Sequence, residues 1–328
     1  MIDIYSKALQ QTIQVDRIIN QVTGKEPGPT LIFFAGIHGN EPAGVFALQK
    51  VLASIQEQKS LLKGTVIGIT GNMQALSNGI RYVDTDLNRM WTSNGVIKNT
   101  KEENYAEKEE QHALMEQLSK VIKENTGPFY FFDLHTTSGA TPPFITINDT
   151  ILNRKFALQF QAPVILGIEE FLSGPLLSYI NEWGYVSLGY ESGQHDDIDA
   201  IKNHKQFISK ALQLTGLTHT PKIKSCTRAD NFYEITYRYH LEPEDQFSMC
   251  NGFKNFQPIA KGQHLASHNG NWVDAREDGV IFMPLYQQQG NDGFFLIRKI
   301  PLFFLKLSRL IREARLDNWL TYLPGINW

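Results

Sequence analysis

Short apolar runs that stop at a glycine or a polar cluster alternate with amphipathic helical patterns through the first two-thirds of the chain. No other feature restricts the fold as much. TLIFFAGI (30–37) has the continuous apolarity of a strand buried on both faces. Pro42 suits the first turn of a helix that runs through Val45, Leu48, Val51 and Leu52. GTVIGITGN reads as the next strand. KEENYAEKEEQHALMEQLSKVIKEN reads as a helix with Leu114, Leu118, Val121 and Ile122 on its apolar side and its Glu/Lys run as a solvated face. The strands PFYFFDLHT and PFITIN, a helix from about Asp149 to Phe160, the strands PVILGI and YVSLGYE, and the helix IDAIKNHKQFISKALQL complete the series. Such alternation predicts an α/β/α layered domain with a mostly parallel mixed sheet. After Gly216 the pieces are short and strand-like (NFYEITYRY, QPIAKGQHLA, GVIFMPLY, GFFLIRKI), punctuated by Gly, Pro and Asn. The expected division is an α/β domain over 1–219 and a smaller C-terminal β-rich domain over 220–328. PLFFLKLSRLIREARLDNWL should close the latter as a basic amphipathic helix docked on its own domain.

Composition excludes several classes. Lys and Arg number 31 against 34 Asp and Glu, so no basic field recruits nucleic acid. Two cysteines, Cys226 and Cys250, in 328 residues do not make a disulfide scaffold. No run reaches the ~18 uninterrupted apolar residues of a membrane span, since Arg298, Lys299 and Lys306 interrupt 294–311. The first residues lack the apolar segment of a secretory signal, and the expected location is the cytoplasm.

Four segments carry chemistry. In Gly36-Ile37-His38-Gly39-Asn40-Glu41 an imidazole and a carboxylate follow a buried strand, at the edge where open α/β sheets build sites. Such a pair on a tight turn can grip one zinc ion, although Glu41 before Pro42 also suits a plain helix N-terminus. Asp133-Leu134-His135 ends a second strand. Side chains two apart share a strand face, so His135 is the third ligand candidate, and Asp133 is the group that orients a ligand histidine. Arg81-Tyr82-Val83-Asp84-Thr85-Asp86-Leu87-Asn88-Arg89 sets two guanidinium groups and an amide in one loop. They serve either a substrate carboxylate or local pairing with Asp84 and Asp86. Glu191 closes the YVSLGY strand and is the candidate proton acceptor. The other histidines, among them His195 and His204, have no comparable context and read as surface or structural. Phosphate-binding loops, dinucleotide fingerprints and a Gly-x-Ser-x-Gly elbow are absent from the sequence.

The set GIHGNE, RYVDTDLNR, DLHTT and the strand-end ESGQ resembles the succinylglutamate desuccinylase and aspartoacylase family, within the wider zinc-carboxypeptidase-like superfamily. The likeness runs through most of 30–215 and resumes at KGQHLA…DGVIFMPLY, which looks like the family's C-terminal β-domain. It implies one zinc ion per chain on His38, Glu41 and His135. It also implies Arg81 polarising the scissile carbonyl, Asn88 and Arg89 binding a substrate carboxylate, and Glu191 as general base and then acid. The implied reaction is hydrolysis of an N-acylated amino acid, a small-molecule substrate, by metal-activated water. The chain departs from the pattern before Glu191, where EEFLSGPLLSYINEWGY lacks the arginine with which aspartoacylases grip an acidic substrate. A substrate-binding tyrosine of the C-terminal domain aligns near Phe294. N-acetyl-aspartate is therefore expected to be a poor substrate, unless Arg154, Lys155 or Arg276 replaces the missing cation.

Two other readings remain at this level: a metallocarboxypeptidase acting on a small peptide, and a metal-binding regulatory protein without turnover. A biotinyl or lipoyl carrier is discounted, because 262–300 has no lysine-bearing hairpin tip of that kind. Homo-oligomerisation is not legible.

Overall fold

The computed structural model describes residues 1–92, 105–218 and 231–301, with Phe303, Leu305 and Leu310 beyond them. These last three are helical; the rest of the expected C-terminal helix, and Cys226, lie outside the described residues.

One eleven-stranded mixed sheet organises the molecule. At its centre Glu26–Ala35 pairs in parallel with Lys63–Thr70 on one side and Phe129–Thr137 on the other, and Phe129–Thr137 pairs in parallel with Val186–Gln194. Phe144–Thr146 runs antiparallel to Val186–Gln194, then parallel to Val164–Leu166. The alternation of side chains along a strand divides the core between the two faces. Leu31, Phe33 and Ala35 pack with Val45, Phe46 and Leu48 of helix Ala43–Gln56 and with Phe207, Ile208 and Ala211 of helix Ile198–Leu214. Ile32 and Phe34 pack on the other face with Leu114 and Leu118 of helix Ala106–Glu124 and Leu176 and Ile180 of helix Leu176–Glu182. These are the layers expected from the sequence.

Three features differ from the expectation. The N-terminal segment, unassigned from the sequence, forms a hairpin of Ile2–Ser6 with Gln11–Val15, and Ile18–Thr23 adds an antiparallel edge strand to the main sheet. The C-terminal strands do not stand apart: Phe232–His240 pairs in parallel with Val164–Leu166, and Asp292–Lys299, Gly279–Phe282 and Gln257–Ile259 extend the same sheet. A three-stranded sheet of Phe247–Met249, His264–His268 and Asn271–Asp274 sits beside them. Finally, the Glu/Lys run of helix Ala106–Glu124 is not wholly a solvated face. Glu107 and Glu110 are buried, because each accepts hydrogen bonds from elements that pack against the helix start.

Candidate active site

Three strand ends and one loop converge at the carboxyl edge of the sheet. After Glu26–Ala35 the chain turns through Gly36, whose φ of 71° lies in the left-handed region that glycine reaches without strain. At Gly39 a Cβ would fall 2.1 Å from the Ala75 carbonyl carbon, so only glycine lets this turn lie against the Met73–Asn78 helix. The turn presents His38 and Glu41, both buried.

Glu41 bridges two histidines. Its Oε1 lies 2.9 Å from His38 Nδ1, and its Oε2 lies 3.1 Å from His135 Nδ1. Each ring's far nitrogen meets an aspartate: His38 Nε2 lies 3.1 Å from Asp86 Oδ1, and His135 Nε2 lies 2.7 Å from Asp133 Oδ2. Those carboxylates take the Nε2 protons and turn both Nδ1 atoms toward Glu41. Burial works to raise the Glu41 carboxyl, yet the charges of His38 and His135 hold it well below the usual carboxylate range. Burial likewise opposes a charged His135, but Asp133 and Glu41 carry its pKa well above that of a free imidazole. One ligand atom from each of His38, Glu41 and His135 lies within 4.8 Å of the others. Two imidazole nitrogens and a carboxylate oxygen, oriented from behind by aspartates, suit a divalent transition metal such as zinc.

Parallel pairing sets Glu191 beside His135 in the register. Its Oε2 is buried and has no hydrogen-bond partner. Burial pushes the carboxyl up to about 8, against the charge of His135. Two arginines line the same cavity. The Arg81 guanidinium donates to Asp86 Oδ2 at 2.9 Å and lies 3.6 Å from Glu41. Asp86 therefore serves both His38 and Arg81. Asp84 pairs with no arginine among the described residues; its carboxylate accepts from the Ala106 backbone N–H, at the start of a helix. Asn88 Oδ1 accepts from the Leu176 backbone N–H at 2.9 Å, which leaves the amide NH2 as the group to donate into the cavity. Arg89 donates to Asp292 at 3.1 Å.

Several cavity residues have no precursor in the sequence reading. His195 is not a surface residue: it lines the cavity, its Nδ1 is 2.7 Å from the Thr136 hydroxyl, and its Nε2 is 3.1 Å from Gln287 Oε1. Gln287 also accepts from Asn40 Nδ2 at 2.9 Å, and Gln289 accepts from the Arg81 backbone N–H at 3.0 Å. The segment after Gly279–Phe282 is thus tied across the mouth. Asp292 arrives from the strand Asp292–Lys299, where no local motif marks it. Phe294 does not line the mouth. It is buried in the small β core, 4.9 Å from the Tyr239 ring, while Phe295 on the opposite face of the strand lines the cavity. Arg154 pairs with Asp149, and Arg276 lies over the Tyr237 ring; neither of them, nor Lys155, is among the cavity's lining residues.

Fold and site together define a class: a layered α/β protein of the hydrolase type, with a metal-competent His–Glu–His triad at the sheet edge. The family model for the succinylglutamate desuccinylase/aspartoacylase catalytic domain matches residues 27–201, more than half of the chain. The chain belongs to that family. A succinylglutamate desuccinylase of Shewanella pealeana is 24% identical over 260 residues, 73% of each chain. One of Photorhabdus laumondii subsp. laumondii is 38% identical, but over 74 residues, 23% of each chain. The crystal structure of a succinylglutamate desuccinylase from Vibrio parahaemolyticus superposes with a TM-score of 0.67 at 16% identity, covering 86% of both chains. Among the described residues, no helix is long and apolar enough to cross a membrane.

Proposed function

We propose that the chain is a zinc-dependent hydrolase of the linear amide bond in an N-acylated amino acid, acting in the cytoplasm. The observation that carries this reading is the set of donors on one buried edge. His38 Nδ1, His135 Nδ1 and the Glu41 carboxylate converge beside the unpartnered Glu191 carboxylate oxygen, with two arginines facing them. His38, Glu41 and His135 would hold the ion, and Asp133 and Asp86 keep the two histidine rings in the ligating orientation. When bound, zinc supplies Lewis acidity to the attacking water and to the scissile carbonyl.

The chain's own residues do the rest. Arg89 and the Asn88 amide hold the substrate's carboxylate, so that the amide lies between Arg81 and Glu191. Glu191 accepts a proton from water as its oxygen adds to the carbonyl carbon. Arg81 hydrogen-bonds the oxygen that gains charge as the tetrahedral centre forms. The C–N bond then breaks as Glu191 returns the proton to the leaving nitrogen, giving a carboxylic acid and a free amine, and the acid's proton passes to the amine to leave a carboxylate and an ammonium. Burial, which favours the protonated form of this carboxyl, helps it hold the proton between the two steps. Residues 1–219 carry this chemistry, and the β-rich 220–328 part contributes the rim through Gln287, Gln289 and Asp292.

Incubating zinc-loaded protein with N-acetyl and N-succinyl amino acids and with C-terminal dipeptides tests the reading. Release of free amino acid from an N-acyl substrate supports it. Exclusive cleavage of dipeptides replaces it with a carboxypeptidase, and metal binding without any cleavage replaces it with a regulatory protein.

A further inference from the structure

The cavity's cations are already engaged, and an acid from the β-rich part engages one of them. Besides histidines, the cationic side chains that line it are Arg81 and Arg89 among the described residues. Arg81 faces Asp86 and Glu41. Arg89 faces Asp292, whose second carboxylate oxygen accepts from Arg238 Nε; Arg238 also donates to the Phe171 carbonyl oxygen at 2.7 Å. Asp292 is therefore a fixed anion held between two guanidinium groups. The cavity lining mixes apolar residues, Ile147, Leu172, Leu177 and Phe295 among them, with the polar Asn148 and Asn291.

We propose that Asp292 is a specificity-determining residue that restricts the enzyme to substrates with a single carboxylate, namely N-acyl amino acids whose side chain is uncharged. The proposal rests on the hydrolase reading above, in which Arg89 and Asn88 take the one carboxylate. A second carboxylate, on the acyl group or on the side chain, finds no unpaired cation. Beside Arg89 it meets Asp292, of like charge, which opposes it. A cationic side chain gains little from Asp292, whose two oxygens are already occupied by Arg89 and Arg238. An uncharged side chain meets neither repulsion from Asp292 nor the cost of burying a charge.

The test compares kcat/KM for N-acetyl-leucine, N-acetyl-lysine and N-acetyl-aspartate in zinc-loaded wild type and Asp292→Asn. Wild type should prefer N-acetyl-leucine to each of the others by tenfold or more. Asp292→Asn should shift the leucine-to-aspartate ratio at least tenfold toward aspartate, mainly through KM. Arg238→Gln, outside the cavity lining, leaves Asp292 less neutralised and should move the ratio the opposite way. That variant decides the matter if Asp292→Asn does not fold. Preference for N-acetyl-aspartate in wild type, or a ratio unmoved by either folded variant, overturns the proposal. Thermal melting with equal concentrations of N-acetyl-leucine and N-acetyl-aspartate separates it from the hydrolase reading. A larger upward shift with N-acetyl-leucine and no cleavage of any substrate removes the hydrolase and keeps the selectivity. Cleavage with the larger shift from N-acetyl-aspartate does the reverse, and neither shift nor cleavage overturns both.

Discussion

Each histidine of the triad turns Nδ1 toward Glu41 and Nε2 toward its own aspartate, Asp86 or Asp133. An aspartate behind a ligand fixes the tautomer and raises the basicity of the ring. Asp86→Asn and Asp133→Asn should each weaken zinc about 10–100-fold, read by competition with a chromogenic chelator; unchanged affinity in both would remove the orienting role. Glu191→Gln should keep fold and metal while turnover falls about 10²–10⁴-fold, because the amide cannot accept a proton. Near-normal turnover would move the base elsewhere. His38, Glu41, His135 and Glu191 were legible because each closes or follows an apolar strand, so one topological rule gathers them on one edge. Asp86 was visible only as a partner for arginine, and the structure gives it His38 as well. Asp292 and His195 were not legible. Asp292 meets Arg89 across 203 residues of sequence and His195 meets Gln287 across 92, and no local periodicity encodes such a contact.

The arginine-bearing loop over Arg81–Arg89, with the short helical turn Leu87–Arg89, is held from below by one side chain. Glu107 is fully buried. Its Oε1 accepts from Asn72 Nδ2 and the Val83 N–H, and its Oε2 from the N–H groups of Asp84 and Thr85, at 2.7–3.1 Å. In return the Asp84 carboxylate accepts from the Ala106 N–H. Loop and helix start thus satisfy each other's backbone donors, which at a helix N-terminus have no intrahelical partner. The composition of KEENYAEKEE describes solvated charge, and burial of Glu107 depends on a loop 22 to 24 residues away, so the pattern alone misassigned it. In Glu107→Gln one oxygen becomes an NH2 group that cannot accept. An unsatisfied buried donor costs about 1–3 kcal/mol, and the loop that carries Arg81 and Arg89 loses its anchor. The variant should melt earlier and show a higher KM for its N-acyl substrate, with zinc affinity less affected. Equal KM in variant and wild type would mean that the arginines are held by other contacts.

At the scale of the whole molecule, the two parts read from the sequence share their sheet and a core. Phe232–His240 covers the Val164–Leu166 strand in parallel register. One apolar cluster joins Phe144, Ile165 and Leu172 to Ile235, Phe282, Phe295 and Ile297, drawing residues from both sides of position 219. Gln287 and Gln289 add polar ties to Asn40, His195 and Arg81. A ligand that binds only the folded state stabilises it by about 2.7 kcal/mol at a hundredfold excess over Kd. Zinc removal by a chelator should therefore lower Tm in wild type by several degrees and leave His38→Ala unmoved; equal shifts in both would place the metal elsewhere. The shared cluster leads to a further expectation about cooperativity. If 1–219 were self-sufficient, cutting there would expose only a surface. Here the cut uncovers the backbone edge of Val164–Leu166 together with Phe144 and Ile165, and an open apolar edge strand pairs with other chains. The 1–219 fragment should aggregate or lose cooperative melting, and the full chain should unfold in one transition, with tryptophan fluorescence and far-UV circular dichroism coinciding across a denaturant series. A monomeric fragment that retains its cooperative melt, or two separated transitions in the full chain, would show that the parts are stable independently and that the shared cluster contributes little to holding them together.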